Sequence, residues 1–324
     1  MKTRYLGFEL ASPVIVASSP YTAAKASVER CVAAGAGAVV LKSIFEEQVL
    51  QHAAAYDYVP QGMGDSGEYL ESYLSDACKL DFLHLIADAR ATGVPVIASV
   101  NCVSAGEGWI DYAASMVAAG ASALELNIFL MPTDPDVCSA EIEARYAEIV
   151  AGVTGAVAVP VSVKLPMRLT HIVAMARTLR ECGARGAVLF NRFFEPDIDI
   201  ERMEFRPGDP FSHPSELRNV LRPAALCAAA VPGLDLCVST GVHDGEAAVK
   251  ALLCGARAVQ VCSAIHEKGY DVIGEIGRFV DAWAGRHGFA STDDLCGRMD
   301  FGRAGDDLFQ RVQYMHYFPQ GTMV

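Results

Sequence analysis

The ten cysteines contain no C-x-x-C pair and lie at 31, 78, 102, 138, 182, 227, 237, 254, 262 and 296, mostly inside apolar segments. That pattern does not match an iron–sulfur cluster. It also argues against a disulfide frame, and leaves reduced core thiols in a reducing compartment, the cytoplasm. No uninterrupted apolar run reaches about 18 residues, so no membrane span is expected. No apolar h-region follows Met1-Lys2-Thr3-Arg4-Tyr5, so no signal peptide is expected. Basic residues are scarce: 26 Lys and Arg stand against 39 Asp and Glu, a formal net charge of −13. An acidic chain gains nothing from the counterion release that drives nucleic-acid binding, so no nucleic-acid partner is expected. A local basic patch could still hold a phosphate.

What is present is apolar: 52% of the 324 residues are hydrophobic, enough for one large core. Short β-branched runs at 13–18, 38–42, 95–100, 123–127, 160–164, 186–190, 235–239 and 258–261 read as strands. Amphipathic stretches at 22–34, 80–92, 108–119, 139–154, 170–182, 214–230, 244–254 and 270–287 alternate with them as helices. Eight strand–helix units in a row predict an α/β fold, a single (β/α)8 TIM barrel. A doubly wound open sheet is the competitor, but the G-x-G-x-x-G turn it often carries is missing after the first run. Gly35, Gly120, Gly183 and Gly255 sit at helix-to-strand joints, where a left-handed residue ends a helix. Residues 1–290 are expected to form the barrel, and 291–324 a tail that packs on it or on a partner subunit. Tyr314, His316, Tyr317 and Phe318 make that tail apolar enough to dock. Two connections, after Lys42 and after Asn191, are too long for turns. Both emerge on the face that carries catalysis in such barrels, so a lid and an ordinary insertion are both open readings.

Polar residues at strand ends carry the chemistry of a barrel. Here they are Ser18, Lys42, Asn127, Lys164, Asn191, Ser239 and Thr240. A lysine is rarely buried without a partner. Lys42 and Lys164 therefore read either as cations facing an anionic ligand or as side chains reaching solvent or a loop carboxylate. Ser239-Thr240-Gly241-Val242 and Cys262-Ser263-Ala264, after the last two strands, offer small residues and hydroxyls where barrels commonly hold phosphate. Each tripeptide alone is also an ordinary turn.

These residues fall into a known pattern. Ala17-Ser18, Leu41-Lys42-Ser43, Glu125-Leu126-Asn127, Val163-Lys164-Leu165-Pro166, Asn191 and Thr240-Gly241-Val242 resemble the dihydroorotate dehydrogenase family. So does Leu252-Leu253-Cys254-Gly255-Ala256-Arg257-Ala258-Val259-Gln260-Val261, continued by Ile265-His266-Glu267-Lys268-Gly269. The similarity runs from about residue 5 to about residue 300 and is greatest to the soluble class 1 enzymes, which carry no membrane-binding extension before the barrel. The resemblance implies FMN as cofactor, a small-molecule substrate and a place in pyrimidine biosynthesis. It implies hydride transfer to flavin N5, with Lys164 near the pyrimidine end of the flavin, where a cation steadies the reduced ring. It implies further flavin contacts from Ala17, Ser18, Lys42, Ser43, Ser99, Asn127, Asn191, Thr240, Gly241, Cys262 and Ser263. It also implies either a homodimer or a pairing with an electron-transfer subunit.

The pattern breaks on the substrate side. The family carries Asn, an apolar residue, Ser, then a Cys or Ser base, then Pro-Asn. This chain reads Asn127-Ile128-Phe129-Leu130-Met131-Pro132, with Leu130 at the base position. Leucine cannot take a proton. Gly62-Met63-Gly64-Asp65 stands where relatives place a Met-Gly-x-x-Asn stretch. Arg192 replaces a small hydroxyl residue, and Ser212-His213-Pro214-Ser215-Glu216 replaces a Gly-rich segment. Cys102, Thr133, Asp134 and Cys138 are the nearby replacement bases, although a lone cysteine in such a place is more commonly core. His213 and His243 read as loop or capping histidines. The departures leave three readings: an oxidoreductase on dihydroorotate or a related CH–CH donor, a catalytically silent flavin-binding or structural subunit, and a phosphate-binding aldolase or isomerase in which Lys164 forms a Schiff base.

Overall fold

A computed structural model describes residues 1–50, 76–193 and 195–304. The Gly62–Asp65 stretch and the aromatic cluster of the tail lie outside the described residues. In chain order the first elements are β1 (Thr3–Tyr5), β2 (Phe8–Leu10), β3 (Val14–Val16), α1 (Lys25–Ala33), β4 (Ala38–Val40), β5 (Ile44–Phe45), α2 (Glu46–Leu50), α3 (Asp76–Arg90), β6 (Val96–Cys102) and α4 (Glu107–Ala119). Then come β7 (Ala123–Ile128), α5 (Ser139–Ala156), β8 (Val161–Pro166), α6 (Ile172–Glu181), β9 (Gly186–Asn191), β10 (Pro196–Asp199) and β11 (Glu204–Pro207). The chain continues with α7 (Leu217–Ala230), β12 (Asp235–Val238), α8 (Gly245–Leu253), β13 (Ala258–Val261), α9 (Ser263–Lys268), α10 (Asp271–Arg286), α11 (Thr292–Leu295) and α12 (Phe301–Ala304).

The eight expected strands are all present and close into a parallel barrel in the order β3, β4, β6, β7, β8, β9, β12, β13. Val16 pairing with Val261 seals the ring. The eight expected helices surround it. Their apolar faces pack on the outside of the strands, as Met175, Ala176 and Leu179 of α6 do. Buried on both sides, the strands read as near-continuous apolar runs, as parallel strands must. The four joint glycines have φ between +95° and +111°, the left-handed ending that the sequence indicated.

Alternation along each strand sends every second side chain into the lumen. The lower lumen is apolar: Ile15, Val40, Ile97, Ala123, Val188, Cys237 and Ala258 meet Tyr5, Leu6 and Phe8 of the β1–β2 hairpin, which plugs the bottom. The sequence did not mark that hairpin, whose strands have three residues each. One level higher the inward residues become polar: Ser99, Glu125, Ser162, Lys164 and Gln260, all buried. Beyond the barrel, Thr292 Oγ1 donates to Lys2 O at 2.9 Å and Met299 N to Leu253 O at 2.8 Å, holding residues 291–304 against the bottom and the α8 end. Among the described residues no helix is long and apolar enough to cross a membrane.

Candidate functional site

A cavity of about 600 Å³ opens at the C-terminal ends of the barrel strands, within the range of small-molecule and cofactor sites. Ala17, Ser18, Lys42, Ser43, Ser99, Asn127, Lys164, Asn191, Thr240, Gly241, Cys262 and Ser263 all line it. Twelve positions spread over most of the chain are thus brought to one surface. Leu130 is not among the lining residues: it packs against the hydrophobic core, and its neighbour Phe129 faces the cavity instead.

The floor is a bonded polar network. Lys164 Nζ donates to Gln260 Oε1 at 2.8 Å, Gln260 Nε2 donates to Glu125 Oε2 at 2.5 Å, and Glu125 Oε1 lies 3.9 Å from Lys164 Nζ. Burial pushes the Glu125 carboxyl up, while the Lys164 charge and the Gln260 bond pull it back. The three side chains come from β7, β8 and β13, so the barrel must close before the lysine has its partners. Ser18, Ser43 and Ser99 form a hydroxyl chain with Oγ–Oγ distances of 2.9 and 2.8 Å. Asn191 Nδ2 donates to Asn127 Oδ1 at 2.6 Å. Lys42 is different. Its Nζ has no acceptor among the described residues, and the Phe45 ring lies 6.0 Å away. Burial lowers its pKa from the ordinary lysine value.

The corner beyond β12 and β13 is built for small size and free donors. Thr240 and Gly241 have φ of +76° and +77°. A Cβ on Gly241 would fall 2.3 Å from Leu217 N, so only glycine lets the turn pass under the start of α7. The N–H groups of Thr240, Gly241 and Val242 bond to no described residue. Ser212 joins from the loop before α7: its N–H donates to Ser263 Oγ at 2.9 Å, and its Oγ lies 3.0 Å from His243 Nε2. His243 Nδ1 in turn meets Glu267 Oε2 at 3.0 Å. His243 is therefore a buried brace behind the corner rather than a cap, while His213 does cap its turn, accepting from Ser215 N. Neither the Ser212–His243–Glu267 chain nor Glu125 and Gln260 as partners of Lys164 was read from the sequence. Strand alternation does mark Glu125 and Gln260 as inward-facing, and that signal could have found them.

The outer wall comes from segments beyond the strand ends and is mostly apolar. Phe45, Val103, Phe129, Phe193, Pro210 and Phe211 line it, and the Phe129 and Phe193 rings pack with centroids 4.0 Å apart. Two of the departures from the family pattern meet here: Arg192 Nε donates to Glu216 Oε2 at 3.2 Å, so the two replacements neutralise each other. Of the four replacement bases, Thr133, Asp134 and Cys138 are exposed and line no part of the cavity. Cys102 borders it but is 1% exposed, its thiol pushed well up by burial and by Glu46 and Glu47. Asn101 and Glu47 also line the wall; neither was singled out in the sequence. Among the described residues no cluster of three or more His, Cys, Asp or Glu could hold a metal ion.

Comparison with known proteins gives consistent relatives. The chain is 30% identical over 310 residues to the catalytic subunit of dihydroorotate dehydrogenase B (NAD(+)) of Methanothermobacter thermautotrophicus, covering 92% of this chain and 97% of that protein. It is 29% identical to the corresponding subunit of Methanosarcina acetivorans, over 90% of this chain and 93% of that one. It is 24% identical to dihydroorotate dehydrogenase A (fumarate) of Lactococcus lactis, over 92% and 99%. No protein-family model matches the chain.

Proposed function

The chain belongs to the dihydroorotate dehydrogenase family, and from that premise we propose that it is an FMN-dependent oxidoreductase acting on a CH–CH bond of a small molecule. The observation that carries the reading is the match between the cavity and a flavin nucleotide. Lys42 is a cation without an acceptor among the described residues, Ser19 Oγ is buried without one, and the amides of Thr240, Gly241 and Val242, which also line the cavity, bond to no described residue. These are unmet donors along one surface, and a phosphorylated, hydrogen-bonding ligand satisfies them. Thr240, Gly241, Ser212 and Ser263 would hold the phosphate. Ser18, Ser43, Ser99, Asn127, Asn191 and Lys164 would meet the ring system. When bound, FMN supplies a two-electron acceptor for hydride at N5. Lys164, fixed by Gln260 and Glu125, places a positive charge where negative charge develops on the ring.

The silent-subunit alternative draws support from Leu130, but relatives over nine-tenths of this chain are named as dehydrogenases. A Schiff-base role for Lys164 fits less well, because its Nζ is tied to Gln260 and faces Glu125 in the buried floor, while an imine needs the amine free to meet a carbonyl. The relatives' names differ in acceptor and assembly, one being an NAD+-linked catalytic subunit and another a fumarate enzyme. Both a homodimer and an electron-transfer partner therefore fit this proposal.

The test is direct. Purified protein is expected to be yellow and to release FMN on denaturation, and the apoprotein to take up FMN in preference to riboflavin. A colourless protein that cannot be reconstituted would sink the reading.

A further inference from the structure

Oxidising a CH–CH unit removes a hydride from one carbon and a proton from its neighbour, so the outer wall must supply a proton acceptor. Leu130 cannot serve and does not face the cavity. The titratable groups that line the cavity are Lys42, Glu47, Cys102, Glu125, Lys164, Arg192 and Cys262. Glu125 and Lys164 are bonded into the floor, and Arg192 is tied to Glu216. Lys42 and Cys262 belong to the flavin side, and Cys102 is sealed under its own strand end.

Glu47 is left, and the chain places it deliberately. Its neighbour Glu46 is buried and saturated: it accepts from Val103 N at 2.7 Å, from Ser104 N at 3.1 Å and from Ser104 Oγ. On its other side Gln48 is buried, with Oε1 accepting from Phe45 N at 2.7 Å. With both neighbours anchored, α2 is fixed against the β6–α4 loop, and Glu47 lines the same cavity as Asn101, Val103 and Phe129. It has no hydrogen-bond or ion-pair partner among the described residues, and its charge is felt at the Cys102 thiol at the end of β6.

We propose that Glu47 is the acid–base carboxylate of this site. It accepts the proton lost from one carbon as the C–H bond breaks and the C=C bond forms. The two electrons leave with the hydride from the adjacent carbon to the bound flavin, and Glu47 returns the proton to water. A second property follows from the same placement. Glu47 is the one charge on the outer wall without a counter-ion among the described residues, so the substrate edge that meets it carries no carboxylate. The substrate class is an uncharged dihydro-heterocycle or saturated carbonyl compound rather than dihydroorotate.

This inference rests on the FMN reading, and the experiment separates the two. Full-length protein loaded with FMN is compared with Glu47→Gln and Glu47→Asp. Binding of orotate and of uracil, flat pyrimidines that differ by one carboxylate, is followed by the change in flavin absorbance without turnover. Wild type is expected to favour uracil, and Glu47→Gln to shift the ratio about tenfold toward orotate as like-charge repulsion is removed. Wild type that binds orotate as well as uracil, or a ratio that Gln leaves unmoved, overturns the charge assignment. Anaerobic mixing with dihydrouracil then tests the proton role: bleaching is expected to slow about a hundredfold or more in Glu47→Gln and to recover in part in Glu47→Asp. Equal traces from wild type and Glu47→Gln, bleached or not, overturn it. Protein that takes up no FMN overturns the functional reading and this inference with it; the other failures overturn this inference alone.

Discussion

On the floor of the cavity the polar side chains hold one another, Lys42 excepted. On the outer wall aromatic rings pack on each other, and Glu47 stands without a partner. Most floor groups sit on β6, β7, β8, β9 and β13, where the backbone is fixed by pairing on both sides, and Ser18, Lys42 and Ser43 follow directly on β3 and β4. The wall groups sit on β5 and α2, at the end of β6, and on the loops after β6, β7 and β9. A rigid scaffold keeps a cofactor-binding set in register, while loops can exchange side chains without cost to the barrel. The family resemblance holds on the strands and the short turns that directly follow them, and fails on the longer segments after β7 and β9.

The largest effect that would sharpen this contrast is expected from Lys164→Ala. The substitution removes the cation from the proposed flavin site and leaves Glu125 buried without its charge partner, a loss of about 3–5 kcal/mol in comparable buried pairs. FMN content and thermal stability should both collapse. Adding Glu125→Gln should restore the melting temperature but not the flavin reduction rate. If the single variant keeps full stability, the network is not the support described. Next comes Gly241→Ala. A β-carbon at φ +77° costs about 1–2 kcal/mol by itself, and here it also meets Leu217 N. Calorimetry should show a fall of several degrees, and FMN should lose its advantage over riboflavin. Unchanged discrimination would detach this corner from phosphate binding.

The floor was largely legible in the sequence because strand endings are legible. Ser18, Lys42, Asn127, Lys164 and Asn191 announce themselves as polar residues closing apolar runs, and all five line the cavity. Their partners were harder to see. Gln260 and Glu125 are 135 residues apart and meet only because β13 and β7 face each other across a closed lumen. The wall was nearly illegible. Glu47 belongs to a five-residue helix with no full amphipathic period, and β10 and β11 are four residues each and were read as part of a long connection. Nothing local distinguishes a carboxylate on such a segment from a solvated one until Glu46 is seen tied to the β6–α4 loop.

Middle-sized effects probe the wall and its border. Phe129→Ala opens the ring pair with Phe193 without touching the floor. FMN binding should hold within about twofold while pyrimidine binding weakens about tenfold, reflecting 1–2 kcal/mol of lost aromatic contact. A variant that loses FMN instead would erase the boundary drawn between floor and wall. Lys42 gives a pH test. Its pKa lies below the ordinary lysine value of 10.5, because burial disfavours the charged form. The cation attracts the anionic cofactor and is lost as pH rises through that lowered value. FMN affinity should therefore weaken on the alkaline side at a pH below 10.5, and Lys42→Arg, which stays charged, should flatten the curve. An identical curve for both proteins would assign the alkaline loss to another group.

The smallest effect is expected where the sequence comparison places the family's base. Restoring it with Leu130→Cys is the obvious repair, and if position alone decided chemistry it would recover dihydroorotate oxidation. The structure argues otherwise. Leu130 is half-buried and packs against the hydrophobic core, and Tyr146 Oη of α5 donates to Ile128 O at 3.1 Å and fixes the end of β7. A thiol there would replace packed methyl groups at a position that does not line the cavity, whereas Phe129 does. Turnover with dihydroorotate should stay at the level of the parent, and stability should drop by about 1–3 kcal/mol for the lost packing. A clear gain in rate would mean that the β7 loop can present residue 130 to the substrate, and the wall would then be a rearrangement of the family's site rather than a different one.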